Sequence, residues 1–287
     1  MCPRRYLLIL LLQILTFFAY PQAQHVKFEH LGTAAGLSQS NTICILEDSR
    51  GFMWFGTRDG LNRYDGYQFT VYKNDALDAK SLGNNFIMDM VEDDRGTIWI
   101  ATWGGGLDRY DRQTNQFTHF RHDPANSGSL SSDLVTCLFR DSRGELWAGT
   151  EDGGLNLMEN SSGRFTRYVN DRENPKSLSN DYVKRVIEDA EHNIWIATMG
   201  GGLNLYDRWT RSFIPLRHDD GNSQSIGSDM VSSLMEDRKH RLWIGTDAGF
   251  DLMDKKSRKF THFGKGDFGR WDGGGRKVGR NNTQKGG

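Results

Sequence analysis

Four carboxylates, Asp89, Glu151, Asp152 and Asp247, stand outside the repeated motifs of the chain and are the first candidates for acid–base work. Glycoside hydrolysis needs two carboxyl groups about 5–10 Å apart. These four are spread over three copies of a repeat, so spacing alone assigns no acid–base pair. A binding chemistry is better supplied. Trp103 is an apolar platform of the kind on which a sugar ring stacks, with Arg58, Glu151 and Asp89 able to supply hydrogen bonds. Met199 and Asp247 occupy, in their own copies, the place that Arg58, Trp103 and Glu151 occupy in theirs. Asp89 shares a second such place with Cys44, Cys137, Arg185 and Ser233. The competing reading of each is a solvated loop residue or a channel lining.

Other chemistries find no support. His119, His122, His218 and His262 lack metal-ligand spacing, which leaves them a solvated structural role. No HExxH, CxxC or Gly-x-Ser-x-Gly motif occurs. Gly104-Gly105-Gly106 and Gly200-Gly201-Gly202 read as links between two strands, whereas a phosphate-cradling loop opens a helix. The reading therefore contains no catalytic residue, metal or cofactor. A formal net charge of −1 offers no basic patch for nucleic acid.

The first residues are expected to address the protein and not to build it. Arg4 and Arg5 precede an apolar run, Tyr6 to Tyr20, that is shorter than the roughly twenty residues of a membrane-spanning helix. Residues 1–23 thus read as a cleaved signal peptide, placing the mature chain in the periplasm or outside the cell without a membrane span.

The remaining elements follow from an internal repeat. Trp54, Trp99, Trp147, Trp195 and Trp243 are spaced by 45, 48, 48 and 48 residues, each in one frame. Its clearest forms are Glu47-Asp48-Ser49-Arg50-Gly51-Phe52-Met53-Trp54-Phe55-Gly56-Thr57 and Ile194-Trp195-Ile196-Ala197-Thr198. A period in the forties with several short strands per copy predicts β-propeller blades of four strands, near 41–73, 86–121, 134–169, 182–217 and 230–263. Alternation predicts Val183 and Ile187 on one face of the innermost strand and Val186 on the other. Gly51, Gly96 and Gly144 suit the positive φ of the following turn, with Asn193 and His240 in that place in copies four and five. Asp48, Asp93, Asp141, Asp189 and Asp237 read as turn-formers. Each Trp fills the wedge between blades, its burial of about 150–250 Å² worth about 4–6 kcal/mol as an upper estimate.

The frame Glu-Asp-x-x-Gly-x-x-Trp-x-Gly-Thr-x-x-Gly-Leu-x-x-Tyr-Asp resembles the two-component regulator propeller repeat. The opening Phe28-Glu29-His30-Leu31-Gly32 to Gly36-Leu37-Ser38-Gln39-Ser40 is similar to the start of the periplasmic sensor region of hybrid two-component histidine kinases. The resemblance covers Phe28 to Phe263. It implies rings of seven blades, carbohydrate fragments as ligands, and a kinase after the sensor. No kinase motif occurs in this sequence.

Two structural expectations follow. The five blades form part of a seven-bladed ring, or close on themselves, with Phe28 to Leu31 completing a last blade. Residues 264–287, rich in Gly, Lys and Arg and holding Trp271, form a disordered, truncated or frame-shifted tail. The functional expectation is a ligand-sensing propeller that recognises a small solute or oligosaccharide without its own kinase, with further blades or a second chain as partners. A protein-interaction propeller, or a propeller lyase or glycoside hydrolase, is the alternative.

Overall fold

The structure is a computed structural model that describes residues 30–159 and 162–264. The signal segment, Phe28 and Glu29 of the expected closing strand, and the tail from residue 265 with Trp271 lie outside the described residues. Blade 1 comprises β1 (Thr42–Glu47), β2 (Met53–Thr57), β3 (Gly60–Tyr64) and β4 (Phe69–Tyr72). Blade 2 comprises β5 (Ile87–Glu92), β6 (Ile98–Thr102), β7 (Gly106–Asp111) and β8 (Gln116–Phe120). Blade 3 holds β9 (Val135–Arg140), β10 (Leu146–Thr150), β11 (Leu155–Glu159) and β12 (Arg164–Tyr168). Blade 4 holds β13 (Val183–Glu188), β14 (Ile194–Thr198), β15 (Gly202–Asp207) and β16 (Ser212–Leu216). Blade 5 holds β17 (Val231–Glu236), β18 (Leu242–Thr246), β19 (Gly249–Asp254) and β20 (Lys259–Phe263). Every sheet is an antiparallel meander in chain order.

Two local expectations are corrected. The pairing of β13 with β14 shifts between Val183 and Arg185, so the alternation slips by one residue there. Val183 and Val186 therefore share one buried cluster with Trp147, while Ile187 packs on the opposite side with Trp195. The left-handed turn residue of blade 4 is His192 (φ 64°), not Asn193, because His192 N–H closes the turn onto Asp189 C=O. Asn193 instead donates its amide to the Asp189 carboxylate. His240 does adopt positive φ (58°).

Successive sheets stack face to face through four apolar clusters, one per interface. Trp54, Trp99, Trp147 and Trp195 each enter the cluster shared with the following blade and are at most 3% exposed. The indole carries a polar N–H into that apolar layer. An aspartate six residues upstream accepts it in every blade, at 2.8 Å for Asp48 and 2.9 Å for Asp141 and Asp189. The other carboxylate oxygen accepts two turn amides, as Asp141 does from Arg143 and Glu145. A cation of the following blade completes three of these clamps: Arg112 on Asp48, Arg208 on Asp141 and Lys255 on Asp189. Burial pushes the Asp141 carboxyl up, but the Trp147 N–H, the Arg208 guanidinium and the Glu145 amide outweigh it and hold it below the usual carboxylate range.

Among the described residues the sheets do not close into a ring. The innermost strands pack in the series β1, β5, β9, β13 and β17, and no such packing returns β17 to β1. On the forward face of blade 5, Met235 is 57% and Phe250 50% exposed. Leu203, which matches Phe250 in blade 4, is fully buried against blade 5. Ile45, 59% exposed on the back face of blade 1, matches the buried Val186.

Asp141→Ala strands the Trp147 N–H and leaves Arg208 with Glu145 alone at 2.7 Å in place of two close carboxylates, and is expected to cost about 2–4 kcal/mol in denaturant unfolding. Asp93 receives its indole N–H at 3.1 Å and no cation among the described residues. Asp93→Ala is accordingly expected to cost about 1–3 kcal/mol. Equal losses in the two variants would show that the cross-blade cation adds nothing.

Candidate functional site at the loop rim

In each blade the innermost strand runs away from the loops and the Trp strand runs back, so the glycine hairpins and the inter-blade loops share one rim. Backbone bonds across the blades fix that rim: Gly60 N–H to Asn85 C=O, Gly104 N–H to Asp133 C=O, Gly154 N–H to Asp181 C=O and Gly200 N–H to Asp229 C=O. Trp103 and Leu134, and Met199 and Met230, add isolated antiparallel bridges between neighbouring blades.

Each incoming loop is pinned by a polar residue on the third strand. Asn62, Asn156 and Asn204 accept the N–H of Ser38, Ser131 and Ser179 at 2.8, 2.9 and 3.1 Å. Where the loop has Gly in place of Ser, the acceptor is a carboxylate: Asp108 for Gly83 (2.6 Å) and Asp251 for Gly227 (2.7 Å). A side chain at Gly83 would put its Cβ 2.6 Å from Asp108 Oδ1. His119 and His262 hold these two carboxylates through Nδ1, at 2.6 and 2.7 Å. The hydrogen bond that each imidazole donates to its carboxylate raises the imidazole pKa above its ordinary value. His122 and His218 bond the backbone carbonyls of Leu130 and Ile226. None of the four belongs to a metal-binding cluster among the described residues.

On this scaffold the candidate side chains fall into two groups. Arg58 and Trp103 both pack on Phe86: the guanidinium lies 5.1 Å from its ring centroid, and the indole stacks at 5.7 Å and 20°. Further along the rim, Glu151 holds its N–H on Leu134 C=O, and its Oε2 is buried with no hydrogen-bond partner. Tyr182 lies near that carboxylate; burial first, then the Glu151 charge, pushes its phenol pKa up. Met199 continues the rim, and Asp247 is exposed on the blade 5 hairpin. The second group is built on the innermost strands. Asp89 accepts the Leu138 N–H at 2.9 Å and faces Arg185 at 3.5 Å, joining blades 2, 3 and 4. Burial raises the Asp89 carboxyl despite these donors. Cys44 and Cys137 are free thiols near it, and burial pushes Cys137 up to about 12.

Phe86 and Tyr182 were not among the sequence candidates. Their signal is positional: with Asn41, Leu134 and Met230 they fill the place three residues before the inner-strand position of Asp89, where the copies differ in side-chain type. The repeated aspartates carry more than the turn role expected of them, since each also holds its indole.

Radially stacked four-stranded meanders of this kind define a β-propeller. Five segments, 36–59, 81–104, 129–152, 177–200 and 225–248, match the family model described as two component regulator propeller. These five segments are two-component regulator propeller repeats. It is similar to the extracellular domain of a hybrid two component system of B. thetaiotaomicron, with TM-score 0.71, 26% identity, and coverage of 81% of this chain and 31% of that one. The extracellular domain of a one component system of the same organism shares its fold, with TM-score 0.66, 24% identity, and coverage of 86% and 34%. Over 74 residues the chain is 38% identical to histidine kinase P4 of Formosa agariphila, covering 26% of this chain and 5% of that protein. The chain thus spans about a third or less of the length of these relatives. Among the described residues no helix is long and apolar enough to cross a membrane.

The histidine clamps predict a pH dependence. A folded-state pKa above the unfolded value of about 6.5 stabilises the fold fully below that value, and the contribution is lost as pH rises through the folded pKa. The melting temperature is expected to fall as pH rises above about 6.5. In the double variant His119→Gln, His262→Gln it should be lower at pH 6 and change less over that range. A wild-type slope retained in this variant would remove the imidazoles as its source.

Proposed function

We propose that the chain is the extracytoplasmic ligand-sensing propeller of a two-component receptor, and that the loop rim recognises a carbohydrate or a similar hydroxyl-rich solute. The observation that carries the reading is Glu151 Oε2, a buried acceptor without a donor, on the same rim as the stacked Phe86 and Trp103. Buried polar atoms are nearly always paired, and a ligand hydroxyl is a fitting donor. A sugar also presents an apolar ring face for which Trp103 is suited. Arg58, Met199 and Asp247 on the rim, and Asp89 with Arg185 on the innermost strands, supply further contacts in this reading. The similarity to extracellular domains of signalling systems supports it. Residues 1–23 serve as a cleaved export signal, recognition resides in the blades, and phosphoryl transfer is performed by another part of the system.

The exposed apolar faces of blades 1 and 5 favour a second role, the docking of further blades or of a second chain. A propeller lyase or hydrolase is disfavoured by the lack of an assignable acid–base pair.

Titration of an oligosaccharide panel, with product analysis in parallel, is expected to give saturable binding and no product. Trp103→Ala should weaken that binding at least about tenfold, or about 1.4 kcal/mol. Product would support an enzyme, and the absence of both binding and product would support an interaction module.

A further inference from the structure

A cavity of about 480 Å³ opens among the loops of blade 4, whereas the stacked Phe86 and Trp103 belong to blade 2. Its lining includes Asn170, Arg172, Pro175, Asn180, Pro215 and Arg217. One register position on the outer strand explains why it exists. His119 stands opposite Asp108, Arg167 opposite Asn156 and His262 opposite Asp251. All three side chains reach under the incoming loop and donate to its carbonyls. His119 Nε2 bonds Ala79 C=O at 3.0 Å, and His262 Nε2 bonds Ser223 C=O at 3.1 Å. Arg167 reaches Asn126 C=O and Ser129 C=O, both at 2.8 Å. In blade 4 the residue opposite Asn204 is Pro215, which has no donor and little bulk. Proline is accommodated there because β16 is the outer edge strand of its sheet.

Pro215 therefore leaves open a space that three other blades fill with an imidazole or a guanidinium. An occupant must donate to loop carbonyls such as that of Pro175, which holds in its loop the place of Ala79 and Ser223. It must also accept from cationic and amide donors, since Arg172, Asn180 and Arg217 line the same space. A hydroxyl does both. The volume lies within the roughly 300–1,000 Å³ of small-molecule sites. We propose that this cavity is a separate binding site for one small polyhydroxylated ligand, a sugar ring or a cyclic polyol. It stands independently of the reading of the rim around Trp103.

The test uses ligand-observed NMR on the full chain with D-glucose, D-galactose, D-xylose, D-glucuronate and myo-inositol as probes. Pro215→Arg copies the Asn156–Arg167 pair of blade 3 and refills the space. The expected result is saturable binding of at least one probe, weakened at least about tenfold in Pro215→Arg and retained in Trp103→Ala. Binding of no probe, or equal binding by Pro215→Arg and the parent, overturns the proposal. So does binding lost only in Trp103→Ala, which would assign the probe to the rim. If thermal melting shows that Pro215→Arg is not folded, Arg172→Ala and Asn180→Ala replace it. A several-fold loss is then expected, and unchanged binding in both overturns the proposal.

Discussion

An aspartate that holds an indole N–H across an interval of six residues recurs in all five blades, and the stacking of the sheets depends on it. The tryptophan supplies area to the wedge between sheets, but its N–H needs a partner wherever the ring is buried. Placing the carboxylate at the start of the preceding turn solves three problems at once: the turn amides, the indole and the cation of the next blade share two oxygens. Buried ion pairs add little net stability compared with apolar packing, although breaking one is costly. Their effect here is registry. Arg112, Arg208 and Lys255 each reach back one blade, so a sheet that slid or rotated against its neighbour would leave a buried charge unpaired.

With its register fixed by these clamps, the opposite edge of each sheet is free to vary. The loop ends are held by backbone bonds and by the Asn or Asp–His pins, none of which uses the side chain at the tip of a hairpin. Arg58, Trp103, Glu151, Met199 and Asp247 can therefore differ in charge and size without changing the fold. This division of labour places recognition on loops carried by a rigid scaffold.

The propeller was legible because Trp, Asp and Gly recur at a period set by the length of a four-stranded meander. Face assignments were less so. The irregular pairing at the start of each innermost strand shifts one residue to the other face, and alternation alone placed Val183 on the wrong side. The turn of blade 4 failed for a similar reason: Asn193 has the better intrinsic tolerance of positive φ, but the hydrogen bond to Asp189 C=O fixes the position at His192. The rim candidates stand out by their variability, whereas Phe86, on which two of them pack, is marked only by its place in the repeat, and aromatic residues abound in the chain. The pairing of Asp89 with Arg185 spans 96 residues and two interfaces, and only the curvature of the arc brings them together.

The ends of the arc obey the same directional chemistry. Each interior interface joins a forward face, bearing Trp, to the back face of the following blade, and at three of the four a cation comes from the blade that follows. Blade 5 ends the series with a forward face that differs in one respect: Arg241, from its own sheet, pairs with Asp237 and lies 5.3 Å from the Trp243 ring centroid. Its carboxylate is already neutralised, held well below the usual range by Arg241 and then by the Trp243 N–H. The exposed Met235 on that face is apolar. Blade 1 offers the opposite type, a back face with Ile45 and with Gly66 where Arg112, Arg208 and Lys255 stand elsewhere. A forward face that needs no incoming cation suits a back face that brings none. Because the two ends are unlike, two-fold pairing of like surfaces would not reproduce an interior interface; covering either end in the native manner requires a forward face against a back face.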